Sequence, residues 1–347
     1  MRAFVTGSTG LLGNNLVRAL LAEGHFVRAL VRSRSKARLL DGLEVEPVEG
    51  DMRDVPGFSA ALEGVDVLFH TAAYFREYYG PSADHWTQLK AINVDGTRAL
   101  LESAHAPGVK RVVDTSSDGI IGHKPDGTPG DEDTPPGLIA QTNLYFRGKV
   151  MAEEQSRAFS EKTGLPVSFV LPGWMFGPGD AGPTSAGQLV DEFLERKLPG
   201  IPPGGSAVVD ARDVAAAMVA ISRSGAPGRR YIIGGVFVTM AELLETLARV
   251  SGVPAPRLRI PYPMALAAAW TAQTWARLTR GSTVLSVAGV RMLKYGLNVS
   301  SERARRELGI RFRPLEETLR DCVAWTRSQA SERRPSGAAA TLPFPSR

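Results

Sequence analysis

A doubly wound α/β fold, a parallel sheet with helices on both faces, is predicted by three observations. Short β-branched runs alternate with helical patterns up to about residue 170, the first run ends in a glycine-rich turn that opens an apolar helix, and beyond Leu171 the alternation breaks up. The strands are expected over residues 3–6, 26–31, 45–48, 65–70, 111–115 and 167–171, and helices over 11–23, 86–104 and 144–163 among the gaps. Such strands pair in parallel and are buried on both faces.

After Leu171, Pro172, Gly173, Gly177, Pro178, Gly179, Gly182 and Pro183 crowd together, and a smaller substrate-binding portion is expected to begin. Residues 207–209, which precede Asp213-Val214-Ala215, and residues 230–234 return in part to the sheet, so the portions interleave. The sheet domain is expected over 1–171 with about 205–235, and the substrate portion over 172–204 and 236–327. Residues 328–347, rich in Ser, Ala, Pro and Arg without apolar periodicity, read as a disordered tail.

The 347 residues are 43% hydrophobic, enough for a large core. A net charge of +5 is spread over scattered Lys and Arg, with no basic run interleaved with aromatics, which argues against nucleic acid. The lone Cys322 excludes an internal disulfide and a cysteine-based metal site; no metal is expected, and a reducing cytoplasm fits. Residues 1–6 already read as a strand, so no secretory signal is expected before the fold. The charge-free stretch 260–276 contains Pro261, Pro263, threonines and a glutamine; it falls short of a membrane span and is expected to pack over a pocket without stable membrane insertion. The partner expected is a small molecule, and the oligomeric state stays open, a homodimer being one option.

Thr6-Gly7-Ser8-Thr9-Gly10-Leu11-Leu12-Gly13 has the strand-turn-helix context of a dinucleotide site. Its glycines permit the tight turn, the approach of backbone to a pyrophosphate and close helix packing, while the helix N-terminus favours phosphate charge. The second strand ends in Leu30-Val31-Arg32-Ser33-Arg34-Ser35-Lys36 with no acid to bind ribose hydroxyls, which favours NADP(H) over NAD(H), the latter kept as an option. Arg32 is the best candidate for the 2′-phosphate, followed by Ser33, Arg34 and Lys36. Asp51, beyond the third strand, is placed for the adenine or serves as a turn residue.

Tyr145 and Lys149 lie four apart and so share one helix face. The ammonium stabilises phenolate and brings the phenol toward the working range of a proton donor, which is the chemistry of carbonyl reduction.

Together these residues resemble the extended short-chain dehydrogenase/reductase family, and within it the dihydroflavonol 4-reductase-like branch that includes hopanoid-associated sugar epimerases. Further carriers are Gly50-Asp51, His70-Thr71-Ala72-Ala73, Asn93-Val94-Asp95-Gly96-Thr97, Thr115-Ser116-Ser117, Leu171-Pro172-Gly173, Gly177-Pro178-Gly179-Asp180 and Asp213-Val214-Ala215. The resemblance covers the chain to about Arg327. It implies Ser117 as the catalytic hydroxyl, with Ser116 as fallback, Tyr145 as general acid or base and Lys149 as ribose ligand and tuner of the phenol. Asn93 is implied in a proton relay, or else kinks or caps its helix. Ala72, Ala73 and Gly173 are implied as steric positions that admit the cofactor, with Thr6, Gly7, Thr9, Gly10, Leu11, Leu12, Gly13, Met52, Thr115 and Pro172 also among its contacts.

Asp114 and Asp118 depart from that pattern. Their simplest placement is at a solvated pocket mouth; the alternative is contact with a polar substrate group or an effect on the tyrosine. Gly148, inside the helix, suggests close packing.

Tyr74, Phe75, Tyr78 and Tyr79 after the fourth strand, with Trp174 and Phe176 after the sixth, sit beyond the carboxyl ends of strands where ligands bind. They suggest a flat, largely apolar substrate, with residues 260–276, including Trp270 and Trp275, closing the pocket. The reading is an NADPH-dependent reductase of a ring-containing ketone. Its alternatives are an NAD-dependent nucleotide-sugar epimerase or dehydratase, and a non-enzymatic cofactor sensor, which the intact Ser117, Tyr145 and Lys149 argue against.

Overall fold

The computed structural model describes residues 1–75, 84–279 and 286–333. Its larger sheet has seven parallel strands, β1 (Arg2–Thr6), β2 (Phe26–Val31), β3 (Val45–Glu49), β4 (Val67–His70), β5 (Arg111–Thr115), β6 (Val167–Pro172) and β9 (Arg230–Ile233), in the order β3-β2-β1-β4-β5-β6-β9. Every residue of β4 and β6 is buried, as expected of a sheet covered on both faces. On one face, α1 (Leu11–Ala22), α8 (Ala211–Ser224) and α12 (Glu302–Leu308) cover Ala3, Val5, Ala29, Phe69, Val170 and Ile233. On the other, α4 (Gly96–His105), α5 (Leu138–Thr142) and α6 (Leu144–Thr163) cover Phe4, Leu68, Val112, Phe169 and Ile232.

A second, three-stranded sheet, β10 (Val236–Thr239), β8 (Gly205–Asp210) and β7 (Trp174–Phe176), pairs β10 antiparallel and β7 parallel to β8. It packs with α7 (Ser185–Leu194), α9 (Met240–Ser251) and α13 (Leu315–Arg333) around Phe193, Leu244 and Leu319. The expectation that residues 205–235 accompany the larger sheet needs correction at β8, which belongs to the small one. There Val236 to Thr239 pair with Val208 to Gly205, whereas β6 already has β5 and β9 as neighbours. α10 (Tyr262–Thr279) and α11 (Val287–Tyr295) form a satellite pair, and α2 (Arg34–Ala37) is a single turn.

Local chemistry sets the ends of the element that carries the Tyr-Lys pair. The Asn143 carboxamide oxygen accepts the Tyr145 N–H at 2.9 Å and caps α6, which stops at Gly164 in a left-handed conformation (φ +75°). The helix expected over 86–104 is divided into α3 (His85–Leu89), a π-helical turn (Lys90–Asp95) and α4. The expected tail also begins later, because α13 continues to Arg333; residues 334–347 lie outside the described ones.

Candidate active site

Strand order reverses between β1 and β4, and a cleft of about 380 Å³ opens there at the carboxyl ends of the strands. Its cofactor end is lined by Gly7, Thr9, Gly10, Leu11, Leu12, Gly13, Arg32, Asp51, Met52, Arg53, Ala72 and Ala73. Gly7 has φ +67°, and a Cβ there would stand 2.7 Å from the Ala72 nitrogen, so the turn admits no side chain. A Cβ on Gly13 would strike the Gly7 carbonyl, which holds α1 tight under the turn. α1 begins at Gly10 without a side-chain cap, leaving N–H groups aimed at the cleft for an anion. These features fit a pyrophosphate.

Thr6 corrects the expectation of direct contact. It is fully buried below the turn, where its hydroxyl lies 2.7 Å from His70 Nδ1 and accepts the N–H groups of Thr71 (3.1 Å) and Ala72 (3.2 Å). The Thr97 hydroxyl donates to the Asn93 carbonyl (2.8 Å), so it accepts from His70 Nε2 (3.0 Å), and the network assigns the neutral Nε2–H tautomer. Burial, helped by the Lys149 charge, pushes the imidazole down to about 3.

Ser33 and Lys36 also miss the cleft. Ser33 begins α2, its hydroxyl 2.9 Å from that of Ser35, and Lys36 is exposed on that turn. Arg53, which the sequence reading did not single out, lines the cleft instead and grips Asp51 through Nε (3.0 Å) and Nη2 (2.8 Å). That bond holds the Asp51 carboxyl below its ordinary value. The signal available was its position two residues after Asp51, where a fork-shaped side chain can reach back.

Thr115, Ser116, Ser117, Asp118, Tyr145, Lys149, Pro172 and Gly173 line the middle of the cleft. Lys149 is buried and its ammonium donates to the Thr115 carbonyl at 2.6 Å, 5.8 Å from the centre of the Tyr145 ring. Burial pulls the lysine down; Asp114 and Glu153 oppose this. Ser117 caps a short 3-10 turn, accepting the Gly119 N–H at 3.3 Å, and stays partly open to the cleft. Gly173 is sterically required, since a Cβ would lie 2.9 Å from the carbonyls of both Ala207 and Gly234. Gly148 is not: a Cβ there meets nothing within 4 Å, so the expected close packing is absent.

The two aspartates are not in water. Asp114 is 6% exposed, accepts from Ser156 at 3.3 Å, and is pushed up by burial against the pull of Lys149. Asp118 is 4% exposed on the cleft wall, its Oδ2 without a hydrogen-bond partner among the described residues, and burial pushes it up to about 8. β5 and the turn after it run into the core, which explains the correction.

Asn93 does not line this cleft. Its amide accepts the Tyr74 N–H (2.6 Å) and donates to the Tyr74 carbonyl (3.2 Å), and it faces a small polar cavity shared with Thr115, Ser116, Lys149 and Glu153. The π-helical turn swings it there.

At the other end, Tyr74, Phe75, Phe146, Trp174, Met175, Met292 and Leu297 line the cleft, and the Phe75 and Tyr145 ring centres are 4.9 Å apart. Phe176 corrects its expected role: it is 1% exposed, within the small-sheet core beneath Trp174. Trp270 and Trp275 correct theirs, being 65% and 70% exposed on the outside of α10; α11 supplies the wall through Met292 instead. Tyr78 and Tyr79 lie outside the described residues.

Comparison with known proteins agrees with this geometry. The chain is 36% identical over 331 residues to sterol demethylase protein B of Methylococcus capsulatus, covering 95% of this chain and 99% of that one. It is 31% identical to a 3 beta-hydroxysteroid dehydrogenase/Delta 5-->4-isomerase of Mycobacterium tuberculosis, covering 93% and 90% respectively. The crystal structure of gox2253 superposes with a TM-score of 0.79 at 30% identity, over 94% of this chain and 98% of that one. Residues 3–234 match the NAD dependent epimerase/dehydratase family model. With that match spanning the glycine turn, the Ser-Tyr-Lys cluster and the seven-stranded sheet, the chain belongs to the NAD dependent epimerase/dehydratase family, in the extended short-chain dehydrogenase/reductase branch.

Proposed function

We propose that the chain is an NADPH-dependent reductase, reversible as an alcohol dehydrogenase, of a ring-containing and largely apolar ketone. The coarser class, an NAD(P)-dependent oxidoreductase acting on alcohol and ketone groups, comes with the family. The observation that carries the finer reading is that Ser117, Tyr145 and Lys149 share one cleft with an aromatic and aliphatic wall. Beyond Tyr145 the described lining includes Phe75, Phe146, Trp174, Met175, Thr184, Ser185, Ser206, Met292 and Leu297, without a Lys or Arg to grip a diphosphate. The names of two relatives, a sterol demethylase protein and a hydroxysteroid dehydrogenase, support fused-ring substrates.

When bound, the nicotinamide supplies hydride from its C4 to the carbonyl carbon. Tyr145 gives its phenolic proton to the carbonyl oxygen, and Ser117 holds that oxygen by a hydrogen bond. The desolvated Lys149 ammonium stabilises the phenolate left behind and is positioned by the Thr115 carbonyl. The polar cavity joining Lys149 to Asn93 offers a route for the proton's return, so the relay assigned to Asn93 works from behind the lysine. Preference for NADPH rests on Arg32 and Arg53 at the cofactor end.

The test follows NADPH absorbance with aromatic, quinone-like and steroidal ketones beside a nucleotide-sugar epimerisation assay. Reduction of a ring ketone without epimerisation is expected. Efficient epimerisation with no ketone reduced would overturn the reading in favour of an NAD-dependent epimerase or dehydratase.

A further inference from the structure

Helix α10 turns its small residues inward and its large apolar ones outward. Ala265 and Ala269 are buried against Val290 of α11, whereas Met264, Trp270, Trp275 and Leu278 are 60%, 65%, 70% and 76% exposed. At about 100° per residue those four fall within one arc of about 140°, the reverse of a helix whose only partner is the fold. Polar groups on this arc are already satisfied. Thr271 donates its hydroxyl to the Ala268 carbonyl (2.9 Å) and Thr274 to that of Trp270 (2.8 Å), so both can leave water without losing a hydrogen bond.

Charge gives this surface a direction. Between Glu245 and Glu302 there are seven Lys and Arg and no Asp or Glu, although the whole chain carries only +5, so the remainder of the chain is net negative. Arg257 and Arg259 are exposed just before α10, Arg291 is exposed on α11, and Lys294 lies 6.0 Å over the ring of Tyr262, the first residue of α10. No helix among the described residues is long and apolar enough to cross a membrane. Apolar side chains with tryptophans at the edge, on a helix whose neighbouring segments carry cations and no acids, match a helix lying in the plane of an anionic bilayer.

We propose that the exposed face of α10 is a peripheral docking surface for anionic phospholipid membranes. α11 packs against α10 and also contributes Met292 to the cleft, so docking would set the apolar end of the active site one helix layer from the lipid. The proposal stands on α10 and its flanking charge and does not depend on the catalytic reading.

The full chain is sedimented with vesicles of phosphatidylcholine alone and of phosphatidylcholine mixed with phosphatidylglycerol. Binding is expected to the mixed vesicles, at least about tenfold weaker to the neutral ones and in high salt. Trp270→Ser with Trp275→Ser should lose at least about tenfold of that binding with an unchanged melting temperature. Brominated lipid should quench wild-type tryptophan fluorescence, a readout that stands even if the variant misfolds. The proposal is overturned by absent or equal binding to both vesicles, by variant binding at the wild-type level, or by no quenching. A dimer abolished by the variant, without vesicle binding, would assign the face to a second copy of the chain and equally overturn it.

Discussion

The glycine turn at the cofactor end of the cleft is shaped by backbone, whereas the substrate end is walled by side chains. At the first, Gly7 and Gly13 stand where a Cβ would come within 3 Å of neighbouring backbone, so identity is dictated by space. At the second, Phe75, Trp174 and Met292 arrive from three distant stretches and meet only because the topology brings β4, β7 and α11 to one edge. Backbone-built sites tolerate almost no substitution, while side-chain walls can change without altering the fold. The contrast predicts a conserved reaction coupled to an adaptable substrate range.

Mutations that separate the two ends sharpen this contrast. Tyr145→Phe, at their junction, should lower kcat by roughly 10²–10⁴-fold while leaving cofactor affinity unchanged, the range for a positioned proton donor. Stopped-flow reduction and cofactor titration measure both; a variant retaining most of the wild-type rate would remove Tyr145 from the chemistry. Arg32→Ala should weaken NADPH by about 1.5–3 kcal/mol and leave NADH unaffected. If wild type binds both cofactors equally, the arginine does not select.

Next comes a pH effect rooted in the junction. The folded protein keeps Asp118 protonated to about pH 8 while the unfolded chain ionises near 3.8; the unfolded state therefore binds fewer protons, and stability falls as pH rises through this window. His70 acts oppositely: held neutral down to about 3, it makes stability rise with pH up to 6.5 and contributes no slope beyond. Between pH 6.5 and 8 Asp118→Asn should accordingly flatten the decline by about 2 kcal/mol, at about 1.4 kcal/mol per pH unit. Urea unfolding of both proteins across that interval reads it, and parallel curves would mean that the carboxyl is ionised in the fold. Smallest is Trp174→Ala, expected to raise KM for a ring ketone by about tenfold, or about 1.4 kcal/mol, with NADPH affinity intact. A matching loss of NADPH affinity would show that the two ends are not separable there.

The same contrast explains what the sequence made legible. The glycine turn and the Tyr-Lys spacing are local patterns with one steric or helical reason each, and Gly7, Gly13, Tyr145 and Lys149 all line the cleft. Arg53, Met292 and Leu297 escaped because no local pattern announces which loop a distant strand will face. Phe176 and Trp270 went astray for the complementary reason: composition registers an aromatic ring, but only packing decides whether it enters the core, the cleft or the outer surface. Thr6 was read as a ligand contact when its hydroxyl is consumed by the His70 network, a competition between polar partners that spacing does not reveal.

β6 ends at Pro172 and β7 begins at Trp174, so the chain passes from one sheet to the other across Gly173 alone, a position hemmed in by two carbonyls. It makes the same crossing a second time between β9 and β10, through only Gly234 and Gly235. Neither crossing has slack for a hinge, and the two lobes share a keel rather than a joint. Accommodation of bulkier molecules must therefore come from remodelling the rim, with the keel holding the reacting centre still.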